Sequence, residues 1–537
     1  MELSPSTHVQ TGYLTPTGFF ISAADASRGF GKRLETFLNK LTILYKGKVG
    51  KVKRTPLYCY NNGKLYLPRT MITMLITARV IKQLAITIAP VVRTPMPIVM
   101  PLFLDQVLIV EWLMMHIYTS RRIAAGTATC LFNLKAGSGK TFVAAGLIAS
   151  IGMDALYVAP TIYLGEQAVT DICNVLGPGT AVMYSAAVRA QPAQAAARVI
   201  VIVINSAVTR PDAFYTRFGM VVLDEVHMYA SDHNMKIFSR CTWCALGMSA
   251  TTSNINKNRD NVLKLALAFD NVVHAGNIPG FAYREDTKFT CIANVIKYRG
   301  PPSHTQFLTH ESTGMLFTHY MHEQFLEDHA RTRMAVYELV KLYDWRGPSQ
   351  QRHRIYVFAE EIKLLKAAKC SFERVLAWLG RDDIKLAIDD VDNSKLFTGG
   401  STISDVNNVQ VLFSTYGFAG QGVSIIDMTA ILLLTPRRSN FLQIFARILR
   451  RGSDLTIPRV VIDIQDVATA LRGQLSERLP AYEFYGFAIE YEKINYTDVI
   501  PMEFVHKFVN AFWYHYAIFM RFPAAIPIIN ALIDVGL

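Results

Sequence analysis

Cysteine is scarce in this chain. There are seven thiols in 537 residues, at Cys59, Cys130, Cys173, Cys241, Cys244, Cys291 and Cys370. Scattered and odd in number, they argue against a disulfide framework and fit a reducing, intracellular compartment. The one close pair, Cys241-Thr242-Trp243-Cys244, has no second ligand pair at zinc spacing, so it reads as small residues entering a core strand. Long apolar runs are also lacking. The stretch 94–104 is broken by Pro95, Pro97 and Pro101, and the C-terminal apolar stretch by Lys507, Arg521 and Asp534. A spanning helix needs roughly 20 apolar residues, so no membrane span is expected. No basic segment leads into an apolar one at the N-terminus, and no secretory signal is expected. Charge is sparse, at 18% of residues, and acidic side chains are the minority, 42 against 55 Lys and Arg.

With 51% hydrophobic residues the composition is that of a core-rich globular chain, long enough for several domains. The net charge of +13 favours a polyanionic partner, nucleic acid or an anionic membrane, although an ordinary basic protein shows the same balance. Residues 1–100 read as a small α+β module. Two alternating runs, 57–60 and 64–67, flank Asn62-Gly63, a strong hairpin signal. The cluster Lys46, Lys48, Lys51, Lys53 and Arg54 is either a backbone contact for nucleic acid or a solvated face.

From about residue 105, short apolar runs alternate with helix-length segments: 130–134, 155–159, 199–204, 220–223 and 245–248, then 355–358, 384–388, 409–413, 431–434 and 460–464. Such runs suit strands buried on both faces of a parallel sheet built from βαβ units. The expected class is therefore α/β, with two tandem parallel-sheet lobes at 101–270 and 271–470 and a mostly helical C-terminal extension at 471–537.

Within the first lobe, Ala136-Gly137-Ser138-Gly139-Lys140-Thr141 follows a strand and opens an apolar helix. Glycines there let backbone N–H groups face phosphates at a helix N-terminus. Lys140 is placed to reach the outer phosphates of ATP, and Thr141 to hold Mg²⁺. Leu134 stands where the full pattern has its first glycine. The strand 220–223 runs into Asp224-Glu225-Val226-His227, 84 residues beyond Lys140. Two carboxylates at the carboxyl end of a parallel sheet suit Mg²⁺ binding by Asp224 and general-base work by Glu225.

These motifs, in this order, resemble the superfamily 2 helicases with a DExH box. Ala159-Pro160-Thr161, with Gln167 beyond, resembles a backbone-gripping motif. Ser249-Ala250-Thr251 resembles the triplet that links ATP state to strand binding. Thr415 through Gly420-Gln421-Gly422 resembles the Thr-and-Gly motif, and 443–450 resembles the closing Q-x-x-[GA]-R-x-x-R motif. The likeness covers about residues 100–465 and is nearest to helicases of large DNA viruses, of the poxvirus transcript-release type, with phage branch-migration and Ssl2-like repair helicases also similar. It implies two RecA-like lobes, ATP and Mg²⁺ as cofactors, and 3′ to 5′ movement.

The resemblance further implies roles for Gln443 at the nucleotide, Arg447 and Arg450 as charge donors from the second lobe, and His227, Ser249, Thr251, Thr161, Thr415 and Gly422 in coupling and strand grip. Gln106 either reads adenine or lies on a helix surface. Partners implied are nucleic acid, DNA ahead of RNA and without sequence preference, and transcription machinery. A motor that remodels complexes without separating strands is the alternative. Two departures stand out: Val423 and Ser424 follow Gly422 where the group often has an acidic residue, and Ala446 replaces glycine.

Overall fold

The computed structural model describes residues 11–499 apart from 16–17, 23–38, 40–41, 47–51, 57, 62, 78–80, 87–92, 136, 185–196, 232, 241–242, 250–264, 266–267, 283–288, 307, 310–315, 379–393, 398–408, 417–427, 438–440 and 451–452. The chain forms two compact units, 1–284 and 285–537. The strand expected at 384–388 lies outside the described residues.

The first unit opens with a five-stranded sheet in the order Cys59–Asn61, Lys64–Leu67, Gly18–Ser22, Thr11–Thr15, Gln83–Ile86. Asn61 pairs with Lys64, so only Asn62-Gly63 separates the strands, and Gly63 takes the φ of +70° that such a turn requires. The expected hairpin is therefore present. The strand pair at 11–22, in a Ser/Thr/Gly-rich stretch, was not legible from composition. Leu14, Phe19, Ile21, Leu65 and Leu67 pack with Ile72 and Leu75 into a small core. The module also bonds to the lobe that follows it, Arg69 Nη2 donating to the Trp243 carbonyl at 3.4 Å.

The larger sheet of the first unit is wholly parallel, in the order Ala181–Met183, Val199–Val203, Ala155–Ala159, Met220–Leu223, Cys244–Ser249, Ala128–Asn133, Val272–His274. Every residue of Ala155–Ala159 and Met220–Leu223 is buried, as continuous Val/Leu runs between two helical layers require. The boundary expected at 270 falls just before a strand that joins this sheet.

The second unit contains another wholly parallel sheet, ordered Ser394–Phe397, Val411–Thr415, Ile355–Ala359, Ala430–Leu433, Arg459–Asp466, Cys291–Arg299, Ala488–Asn495. If the strands of each sheet are numbered along the chain, both read third, fourth, second, fifth, sixth, first, seventh. No sequence repeat announces this duplication of frame. The C-terminal stretch expected to be mostly helical does supply the helix Leu479–Tyr485, but its residues Ala488–Asn495 form an edge strand paired with Cys291–Arg299. Six of those eight residues are exposed, so the strand lacks the apolar run that marks the central strands of the sheet. Residues 500–537 lie outside the described residues. Among the described residues no helix is long and apolar enough to cross a membrane.

Candidate active site

The site is built on the strand-to-loop junctions of the first unit. Ala128–Asn133 leads into the glycine loop, and helix Lys140–Ile151 begins at Gly139, in the left-handed region at φ +78°, with Gly137 at φ +81°. Both angles are costly for a side chain and free for glycine. Buried Leu147 and Ile148, each worth about 1.5–3 kcal/mol relative to exposure, pin the helix beneath the sheet. Its N-terminus is thus fixed where its unpaired N–H groups can meet an anion. Ala136 lies outside the described residues, while Ser138 closes the loop by donating its N–H to the Lys135 carbonyl at 3.2 Å.

Gln106 is 2% exposed, on helix Leu104–His116. Its Oε1 accepts from the Phe103 N–H at 3.1 Å and its Nε2 donates to the Ser138 carbonyl at 3.5 Å. A Cβ on Gly139 would lie 2.3 Å from that Nε2. Of the two readings of Gln106, the surface one is excluded: the buried amide bonds to the glycine loop.

Two strands away, Met220–Leu223 ends in Asp224, whose N–H bonds to the Val158 carbonyl at 3.0 Å. Glu225 adopts φ +44°, a left-handed conformation seldom taken outside glycine and the kind of local strain that collects at functional sites. The turn brings its carboxylate to Lys140, Nζ to Oε1 at 2.5 Å. Burial, then the charge of Glu225, pushes the Asp224 carboxyl up to about 6, with Lys140 opposing. One buried and one partly buried carboxylate beside one ammonium and the Thr141 hydroxyl fit a small divalent cation that keeps some waters and shares substrate phosphates. Among the described residues no cluster of three His, Cys, Asp or Glu side chains offers a self-contained metal cage.

His227 joins this centre to the next strand. Its Nδ1 lies 3.0 Å from the Ser249 hydroxyl and 3.4 Å from Glu225 Oε2. Burial lowers its pKa, so the ring is neutral at physiological pH and the Ser249 contact is an uncharged hydrogen bond. Thr251 lies outside the described residues. One contributor escaped the sequence reading: Tyr157, fully buried on Ala155–Ala159, whose hydroxyl adjoins Thr141 and Asp224. An aromatic in an apolar strand signals core, and only the sheet order places it under the two candidate metal ligands.

Thr161 caps helix Ile162–Leu176, its hydroxyl accepting from the Leu164 N–H at 3.3 Å. Its hydroxyl is thereby engaged in the helix cap. Cys244 is buried in its strand with its thiol pushed up to about 12, as inert core cysteine is; Cys241 lies outside the described residues.

In the second unit, Thr415 ends a sheet strand and Gly422 lies outside the described residues. Gln443 is half-buried on the short helix Phe441–Phe445. A spacing of three would put Arg447 and Arg450 on one face of a continued helix, but the helix ends before them. The Arg447, Ile448 and Leu449 N–H groups each bond three residues back, at 3.2, 3.2 and 3.4 Å. In such tight turns residues three apart eclipse, so the two arginines remain aligned by a different geometry. Arg447 is 4% exposed.

Residues 103–254 match the family model of the Type III restriction enzyme res subunit. Over 370 residues the chain is 28% identical to a "Putative ATP-dependent RNA helicase" of African swine fever virus, isolate Tick/Malawi, covering 66% of this chain and 69% of that one. The homologue from the Badajoz 1971 strain is 27% identical over the same length. Among solved structures, phage T4 UvsW aligns over 90% of this chain and 99% of its own at 16% identity, with a TM-score of 0.33. The S. cerevisiae protein Dbp5, solved bound to RNA and ADP BeF3, aligns over 76% and 97% at 10% identity, with a TM-score of 0.44.

Proposed function

We propose that this chain, which resembles the superfamily 2 DExH helicases of viral and phage type, is an ATP-dependent nucleic-acid helicase or translocase. The observation that carries the reading is the convergence of Lys140, Asp224 and Glu225 on one glycine-loop helix, with His227 linking them to Ser249. Phosphoryl transfer to water asks the protein chiefly for positioning and charge. Backbone N–H groups of 137–141 cradle the phosphates, and Lys140 exchanges Glu225 for the outer phosphate oxygens. Glu225, so released, holds and polarises the attacking water. Asp224 and Thr141 would hold Mg²⁺, which when bound neutralises charge on the phosphate oxygens. Gln106 positions the loop and meets the base, and the family resemblance gives Gln443 a role in nucleotide binding and Arg447 and Arg450 that of charge donors. The His227–Ser249 bond carries the state of the site to residues that grip a strand, with Thr161, Thr415, Thr251 and Gly422 at the gripping positions.

Grip through backbone contacts makes binding independent of sequence and sensitive to salt. DNA and RNA are both candidates. The viral relatives and free thiols support a reducing, intracellular setting of viral transcription or replication. The deciding experiment compares ATP turnover without nucleic acid and with single-stranded DNA, duplex DNA and RNA. Stimulation by at least one is expected, and turnover indifferent to all three would defeat the proposal. A strand-separation assay on short duplexes then distinguishes unwinding from translocation or complex remodelling alone.

A further inference from the structure

The helix Phe441–Phe445 has five residues, too few to be stable unaided. The turns beyond it carry the two arginines. What holds this piece in place is the segment that follows the sheet, 478–487.

Asp463, fully buried on Arg459–Asp466, accepts two bonds on Oδ2: from Arg478 Nε at 2.7 Å and from the Tyr482 hydroxyl at 2.8 Å. Arg478 is 1% exposed, its Nη1 donates to the Arg437 carbonyl at 3.4 Å, and its guanidinium lies 5.5 Å from the Phe441 ring. Anchored in this way, Tyr482 stacks on Phe445 with ring centres 4.6 Å apart, and Phe487 closes the same side at 5.6 Å. Tyr485 then donates its hydroxyl to the Leu442 carbonyl at 2.8 Å. That carbonyl also accepts the Ala446 N–H at 3.2 Å, so the phenol bonds to the point where helix gives way to turn. The positive charge of Arg450 opposes the effect of burial on the Tyr485 phenol.

Tyr485 is half-buried, with its ring edge-on to the exposed Phe484 at 5.0 Å, a contact a phenylalanine would keep. The hydroxyl adds a directional bond to one carbonyl of the arginine-bearing segment. We propose that Tyr485, seated by Arg478 and Tyr482, is a positioning residue that fixes the turn 446–450 and so the aim of Arg450. The proposal rests on the reading above that Arg450 supplies charge to the triphosphate.

The test uses the full-length chain and compares wild type, Tyr485→Phe and Arg450→Ala for nucleic-acid-stimulated turnover, KM for ATP and thermal midpoint. Tyr485→Phe is expected to lower kcat about five- to tenfold, since small misplacements of a charge are costly to rate. Its KM should stay within about twofold and its midpoint unchanged, a split that mere loosening of the core does not give. Unaltered kcat in Tyr485→Phe, with Arg450→Ala inactive, overturns this proposal alone. A fall in kcat matched by a lowered midpoint also overturns it, as a structural effect. Full activity in Arg450→Ala overturns the premise and the proposal together.

Discussion

The ammonium of Lys140 lies 2.5 Å from the carboxylate of Glu225, 85 residues away in sequence. The residue expected to hold phosphate is engaged by the residue expected to activate water. Each neutralises the other in a partly buried place, so exchange of partners on nucleotide binding requires no new desolvation of either charge.

Lys140→Ala is therefore expected to abolish ATP turnover while leaving the far-ultraviolet circular dichroism unchanged. Loss of the pair should cost about 1–2 kcal/mol, below the value for a wholly buried pair because both side chains keep some solvent contact. Urea unfolding measures the cost, and measurable turnover in the variant would refute the assignment.

Asp224 has a folded-state pKa of about 6 against 3.8 for the free side chain. Its contribution to stability is full below about pH 4 and is lost as pH rises through 6, because the native state holds the proton more tightly. Asp224→Asn should consequently raise the metal-free thermal midpoint at pH 7.5, by about 3 °C, and do little at pH 4.5. An equal shift at both values would contradict the buried-carboxylate explanation.

The His227–Ser249 hydrogen bond predicts separable effects. Ser249→Ala should reduce stimulation of turnover by nucleic acid several-fold and leave unstimulated turnover near wild type. A double-mutant cycle with His227→Ala should show coupling on the order of 1 kcal/mol in the stimulated rate. Additive single effects would mean that the contact carries nothing.

Gly139→Ala tests the loop. The added methyl meets a left-handed φ of +78° and, at 2.3 Å, the Gln106 amide. Nucleotide affinity is expected to fall at least about tenfold, since both loop geometry and the Gln106 bond must yield. Equilibrium titration with a fluorescent ATP analogue reads this directly, and unchanged affinity would show that the loop accommodates a side chain.

In the second unit, Arg331 and Asp466 are each about 1% exposed and joined by two bonds of 2.6 and 2.9 Å. Asp466→Asn should destabilise that unit by about 3–5 kcal/mol, the cost of leaving one buried charge unmatched. Denaturant unfolding followed by a probe in residues 285–499 checks the value.

What could be read from the sequence was whatever local chemistry makes obligatory. Val199–Val203 and Ile355–Ala359 announce themselves because a strand buried on both faces must be continuously apolar. The glycine loop and Asp224-Glu225 do so because phosphate and metal chemistry restrict residue type. The strands Cys291–Arg299 and Ala488–Asn495 stayed hidden because both mix polar and apolar residues, as strands near a sheet edge do. Tyr157, Tyr485 and the seat of Gln106 depend on contacts between segments distant in the chain, which periodicity does not encode. The turns beyond Phe445 are not distinguished from helix by sequence, because a spacing of three fits both geometries.

The shared strand order of the two large sheets has a consequence for fuel stoichiometry. The place after the first strand, filled by the glycine loop in one half, is filled in the other by Gly300-Pro301 and the short helix Pro302–Thr305. There the wholly buried imidazole of His304 sits where any Cβ on Gly300 would come within 2.1 Å of it. A seat in one frame is a plug in its twin. On the proposed reading each polypeptide is therefore expected to bind one triphosphate, at the glycine loop of its first unit.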